Sequence, residues 1–260
     1  MARIIDLIKK HTRLSIIIAV AVAMLTISLI VRSTIETNYF PNISFGEQLY
    51  ESISSNLSGH ERETIFKSRN STVKIFSMVA FDAPPFFSPA IASGTYVMFN
   101  DKPHILTAAH VASDCASMMF IAASEEIVPC GRFVYVDDEL DVLLVEINEE
   151  LLTKIPITLN TNLNLSKHYS IGERVYYSGY PNDSSLLTIK GHISGYVYDK
   201  FLLQSYAWNG ASGSGIFDFN GELIGVLSAI QVSHSGDNYG LIDSIVYVAP
   251  IAEIDFDSIE

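Results

Sequence analysis

The chain has 260 residues, a formal net charge of −13 and two cysteines, enough length for one large or two modest domains with an ample core. Five basic residues (Arg3, Lys9, Lys10, Arg13, Arg32) and one acid (Asp6) lie before position 33; beyond it 11 basic residues face 28 acidic ones, a net −17. A nucleic-acid binder needs the opposite sign, so that class is excluded.

Leu14 to Val31 carries no charge and only three polar residues, Ser15, Thr26 and Ser28. As a helix it is about 27 Å long, near the thickness of a bilayer core. The Arg/Lys cluster precedes it, which predicts a cytoplasmic tail over 1–13, a transmembrane signal anchor over 14–31 and a remainder on the periplasmic or extracellular side. A cleaved signal peptide is the rival reading: Ala19-Val20-Ala21 and Ala21-Val22-Ala23 fit the small-residue pattern, although they fall in the middle of the apolar run. Residues 32–70 read as a stalk. Within it Phe45, Leu49, Ile53 and Leu57 recur every four residues, which predicts one amphipathic helix.

From Ser71 the texture changes to short β segments separated by turns, as expected of an all-β barrel or sandwich. Val73–Ala80 and Ala90–Phe99 are predicted strands. Ile105-Leu106-Thr107-Ala108-Ala109-His110 is an apolar strand ending in small residues and a histidine. Asp141-Val142-Leu143-Leu144-Val145 is an acid opening an apolar run, where a carboxylate is shielded from water and able to orient an imidazole. Farther on, Asn209-Gly210-Ala211-Ser212-Gly213-Ser214-Gly215 sets a serine between glycines on a tight turn. It leads into two apolar arms joined by Asn220-Gly221, a strong hairpin signal. A hydroxyl on such a turn, beside clustered N–H donors, is what acyl transfer requires of a nucleophile and its oxyanion hole. A surface turn rich in glycine and serine is the plainer alternative for Ser212 taken alone.

Thr-Ala-Ala-His, Asp-Val-Leu-Leu and Gly-Ala-Ser-Gly-Ser-Gly, in that order, resemble the trypsin-like (chymotrypsin-fold) serine peptidases, with the compact spacing of the bacterial HtrA-type and glutamyl-endopeptidase branches. The resemblance covers roughly Ser71 to Ile254. It implies two six-stranded antiparallel β-barrels (71–147 and 165–254) joined by a linker over 148–164, with a tail over 255–260. It also implies His110, Asp141 and Ser212 as a catalytic triad, the N–H groups of Gly210 and Ser212 as the oxyanion hole, a polypeptide substrate, and no metal or organic cofactor. By position, Tyr206 falls near the floor of the substrate pocket and Ser228 to Ile230 along its wall. With no acid at Tyr206, a preference for Arg or Lys is not expected; Ile230 favours small or medium apolar side chains.

The residue before the nucleophile is Asp or Asn in much of the family and Ala211 here. That leaves a second reading open, an inactive protein of the same fold acting as a peptide-binding or assembly module. His104 reads as a surface residue. Asp137, Asp138 and Glu139 read as a solvated turn, and His192 as a residue on an alternating strand. Cys115 and Cys130 are either a disulfide, in an oxidising compartment, or two buried thiols.

Overall fold

The computed structural model describes residues 45–80, 87–121, 127–148, 150–151, 154–159, 169–235 and 238–259. Two helices open the described chain, α1 (Phe45–Ser52) and α2 (Gly59–Ser71), and α2 runs directly into strand β1 (Thr72–Ala80). The helix expected to reach Leu57 ends at Ser52. Turns follow, and Ser58 caps α2 by accepting the Glu61 N–H at 3.2 Å. None of the described helices is long and apolar enough to cross a membrane; the span expected over Leu14–Val31 lies outside the described residues.

The first sheet contains β1, β2 (Phe87–Phe99), β3 (Lys102–Thr107), β4 (Met118–Ile121), β5 (Ile127–Pro129), β6 (Arg132–Asp137), β7 (Val142–Glu146) and β8 (Ile157–Thr158). Its order is β5-β4-β1-β2-β3-β7-β6, with β8 parallel to β2. A six-stranded first barrel was expected; the sheet is open, a half-barrel. One edge is β5, three residues ending at Pro129, whose missing N–H cannot extend a ladder. The second sheet is the closed six-stranded barrel the family resemblance implies: β9 (Arg174–Gly179), β10 (Leu187–Val197), β11 (Lys200–Gln204), β12 (Gly215–Asp218), β13 (Leu223–Ser235) and β14 (Asn238–Pro250). The β12–β13 turn is drawn in by the Asp218 carboxylate, which accepts the N–H groups of Asn220 (2.9 Å) and Glu222 (2.8 Å), while Gly221 takes φ +78°.

Alternation along β2, β3 and β7 builds two cores at once. Tyr96, Ile105, Leu143 and Val145 fill the first sheet's interior. Val97, Leu106, Val142 and Leu144 point the other way, onto Phe217, Val226 and Ile251. The apolar run after Asp141 is therefore buried on both faces, which removes the polar half of the usual strand alternation.

α2 packs through a polar face. Glu61, Thr64, Ser68 and Asn70 are buried. Glu61 receives Arg174 Nη1 at 3.0 Å and the Tyr176 hydroxyl at 2.5 Å, and Lys190 Nζ lies 3.4 Å away. The hydrogen bond from Tyr176, aided by Lys190 and Arg174, holds the Glu61 carboxyl below its ordinary pKa against the opposing effect of burial. At the other end of the helix, Lys154 Nζ donates to the Arg69 carbonyl at 3.0 Å.

Burial of Lys154, reinforced by the Arg69 charge, lowers its pKa to about 7. Below about 7 the ammonium is present folded and unfolded, and its desolvation is a full cost. Between there and the ordinary lysine value of 10.5 only the unfolded chain holds the proton. Stability is therefore expected to rise with pH in that window, with a limiting slope of about 1.4 kcal/mol per pH unit from this group. Chemical denaturation of wild type and Lys154→Met from pH 6 to 10 checks this; the variant should lose that part of the slope.

Cys115 and Cys130 form a disulfide, with Cα atoms 5.3 Å apart and a sequence separation of 15. Loop-closure entropy for a loop of that size is worth about 3 kcal/mol. The double variant Cys115→Ser/Cys130→Ser is expected to lose about that much unfolding free energy in urea melts.

Candidate active site

His110 stands on a single 3-10 turn, Ala109–Val111, separated from β3 by Ala108 alone. Asp141 sits one residue before β7 with φ +65°, at the end of a turn organised by Asp137. The Asp137 carboxylate accepts the N–H groups of Glu139 (3.0 Å) and Leu140 (2.8 Å), and Lys200, from the second barrel, donates to the Glu139 carbonyl at 3.0 Å. Asp137, expected to be solvated, thus shapes the turn that presents Asp141.

Asp141 and His110 meet closely. Asp141 Oδ2 lies 2.9 Å from His110 Nδ1, and Oδ1 lies 3.1 Å from that nitrogen and accepts the His110 backbone N–H at 3.0 Å. Ser228 Oγ, on β13, donates to Oδ2 at 2.6 Å. Burial pushes the Asp141 pKa up, but the hydrogen bonds from His110 and Ser228 outweigh it and hold the carboxyl below its ordinary value. The Asp141 side chain is 15% exposed and that of His110 is 52% exposed. The result is a shielded anion behind an accessible imidazole.

Ser212 occupies the turn before β12. That turn is tied down on all sides: Ala211 N–H donates to the Trp208 carbonyl (2.9 Å), Ser214 N–H to the Ala211 carbonyl (3.0 Å), and Gly213 N–H to the Leu227 carbonyl (2.8 Å). Ser93, fully buried on β2, is its principal clamp. Its N–H donates to the Ser212 carbonyl at 2.9 Å, its hydroxyl donates to the Gly210 carbonyl at 2.7 Å, and the same hydroxyl accepts the Tyr180 N–H at 2.9 Å. Thr107 Oγ1 in turn donates to the Ser93 carbonyl at 2.8 Å. The serine turn is thereby seated against the strand that delivers His110 three residues later. A Cβ on Gly213, at φ +85°, would lie 2.0 Å from both the Ser93 carbonyl oxygen and Thr107 Oγ1, so only glycine fits there.

Among the described residues the N–H groups of Gly210 and Ser212 donate to no protein group, whereas those of Ala211, Gly213 and Ser214 all do. Gly210 has φ +94°. No hydrogen bond joins Ser212 to His110 among the described residues; such contacts commonly close only when substrate is bound. Ala211 is fully buried in the apolar core of the second barrel, beside Ile216, Val246 and Val248. A carboxylate at that position would be desolvated, and the turn carbonyls are held instead by Ser93.

The remaining expected positions separate. Tyr206 is half exposed, and its carbonyl accepts the Tyr177 hydroxyl. Ile230 is partly buried against the second-barrel core. Ser228, placed by sequence on a pocket wall, spends its hydroxyl on Asp141. His192 is exposed and pairs with Arg174, at the end of β9 away from the serine turn. His104, read as a surface residue, is buried, with Nδ1 2.9 Å from the Lys102 carbonyl oxygen and its ring edge-on to Phe99. Among the described residues no cluster of His, Cys, Asp and Glu fit to hold a metal ion is found. Ser93, Thr107 and Asp137 were missed as site residues. The available signal was slight: a serine in the middle of β2, a threonine closing β3, and an Asp ending β6 directly before a turn.

Residues 92–226, a little over half the chain, match the trypsin-like peptidase domain, a span that begins one residue before Ser93 and contains His110, Asp141 and Ser212. No curated protein matches the chain. With a matched domain of that extent carried on an open sheet and a closed six-stranded barrel, the chain belongs to the trypsin-like peptidases.

Proposed function

We propose that the protein is a membrane-anchored serine endopeptidase that cleaves polypeptides through an acyl-enzyme. Its catalytic unit lies on the periplasmic or extracellular side of the Leu14–Val31 span. In this reading His110 Nε2 takes the Ser212 hydroxyl proton as Oγ bonds to the scissile carbonyl carbon. The carbonyl π pair becomes an oxyanion held by the Gly210 and Ser212 N–H groups. Collapse breaks the C–N bond while His110 gives its proton to the leaving amine. Water then repeats the sequence with Ser212 as leaving group. Asp141 keeps the Nδ1 proton in place and stabilises the imidazolium. No step calls for a metal or an organic cofactor.

The observation that carries this reading is the Asp141 carboxylate. It is shielded, accepts three donors and is held below its ordinary pKa beside an exposed imidazole. The two N–H donors left unspent in the serine turn support the oxyanion role.

Fluorophosphonate labelling of the full-length chain in detergent tests the proposal. Modification at Ser212, read by mass spectrometry and lost in Ser212→Ala, is the expected result. A folded chain that does not label favours the inactive peptide-binding module and ends the enzyme reading.

A further inference from the structure

Ala211 removes the side chain that would anchor the nucleophile turn from within, so the oxyanion donors need another support. In a trans peptide unit the C=O and the following N–H point in opposite directions. Pinning a carbonyl therefore aims the N–H of its own peptide unit. The two candidate donors are both aimed in this way. The Ala211 carbonyl, in one unit with Ser212 N–H, accepts Ser214 N–H. The Asn209 carbonyl, in one unit with Gly210 N–H, accepts Asn182 N–H. The first bond lies inside the turn. The second comes from a separate loop, Tyr180–Leu186, between β9 and β10.

That loop is held in an unusual conformation. Asn182 and Asp183 are consecutive residues at φ +53°, in the left-handed region that Asn and Asp enter more readily than other non-glycine residues but seldom occupy two in a row. The holding contacts come from the segment that leads into the first sheet. Lys74, on β1, forms an ion pair with Asp183 and lies over the Tyr180 ring, 5.6 Å from its centroid. Arg69, in the last turn of α2, donates through Nη1 to the Leu186 carbonyl (3.2 Å) and to Thr188 Oγ1 (2.9 Å). Thr188 Oγ1 continues to Ser178 Oγ (3.0 Å), which accepts Ser68 Oγ of the same helix at 2.9 Å. Lys74 is also the cross-strand partner of Ser93, so one rung of β1 and β2 carries both the loop grip and the turn clamp. The loop has no slack against the turn: a Cβ on Gly210 would lie 2.4 Å from the Tyr180 carbonyl oxygen.

We propose that Arg69 and Lys74 are positioning residues for the reaction. They grip the two sides of the Tyr180–Leu186 loop, press Asn182 N–H onto the Asn209 carbonyl, and so keep Gly210 N–H aimed into the oxyanion site. The assignment rests on the serine-peptidase reading. It makes the helix that joins the N-terminal segment to the barrels a part of the catalytic apparatus.

Saturation kinetics of fluorophosphonate labelling on the full-length chain separate the maximal rate, which depends on the oxyanion donors, from the apparent affinity. Loss of a whole donor costs about 10²–10³ in rate. A donor left in place but loosely aimed is expected to cost about tenfold. Lys74→Met, Asp183→Asn and Arg69→Met should each lower the maximal rate by about that factor, with half-saturation within about twofold of wild type. The charge-exchanged pair Lys74→Asp/Asp183→Lys should recover most of the loss. An ion pair this exposed contributes little to global stability, so thermal melts of the Lys74 and Asp183 variants should match wild type. Should Arg69→Met melt below the assay temperature, the Lys74–Asp183 set decides. Folded variants that label at the wild-type rate overturn the assignment, as does an exchanged pair no faster than its single variants. A wild-type chain that fails to label overturns the peptidase reading, and this assignment with it.

Discussion

Replacing Ser212 by Ala is expected to lower peptide-bond cleavage by about 10⁶ in kcat, close to complete loss, because nucleophile and base act as a unit. The turn leaves no substitute. Ser214, two residues on, is fully buried behind Gly213, whose α-carbon is packed against the Ser93 carbonyl and Thr107. Moving Ser214 outward would break the Ser214–Ala211 and Leu227–Ser214 backbone bonds at once. The fold should be untouched, since no side-chain hydrogen bond of Ser212 exists to lose among the described residues. Progress curves on a denatured protein substrate, with a thermal melt alongside, check both halves of the expectation.

Asp141→Asn is expected to cost about 10⁴ in kcat with little change in KM, the size of effect that follows from presenting an imidazole in the wrong tautomer. The geometry explains why an amide cannot stand in. Both Asp141 oxygens accept: Oδ1 takes the His110 backbone N–H, and Oδ2 takes the Ser228 hydroxyl and faces Nδ1. An Asn side chain has one acceptor and one donor. If its NH₂ occupies the Oδ1 position it faces a backbone N–H; if it occupies the Oδ2 position it faces Nδ1 and forces that nitrogen to accept. The backbone N–H cannot give up its proton, so the amide settles with its NH₂ at the Oδ2 position, and that arrangement moves the imidazole proton to Nε2, the atom that receives the Ser212 proton in the proposed mechanism. Steady-state kinetics with a parallel urea melt separate this effect from loss of stability.

Some of the molecule was legible because local chemistry and tertiary environment agree. Asn220-Gly221 between apolar arms predicted a hairpin, and Gly221 does take the positive φ that the turn needs. The strand ending in Thr107-Ala108-Ala109-His110 and the acid opening β7 were legible as apolar runs with a polar residue at their mouth, and the structure brings those two residues within hydrogen-bonding distance. Other elements were hidden for identifiable reasons. α2 was hidden within the expected stalk, because its buried face is Glu61, Thr64, Ser68 and Asn70, satisfied by hydrogen bonds and charge rather than by apolar area. His104 looked like a surface residue after Pro103, but it is buried, with the Phe99 ring of the neighbouring strand edge-on to it once β2 and β3 pair. Ser228 lies 87 positions from Asp141 in sequence, and nothing near either residue announces the bond between them.

By itself the amino-acid sequence determined the β class, the order of the chemically equipped segments and the turns that need glycine, because alternation, apolar runs and backbone conformation are local properties. The tertiary structure alone decided that the first sheet stays open, that Ser93 clamps the serine turn, and that α2 and Lys74 reach the loop packed against Gly210. Those features are hydrogen bonds between residues far apart in the chain. Their partners are chosen by which strands become neighbours, and that choice is made by packing, which no single stretch of sequence carries.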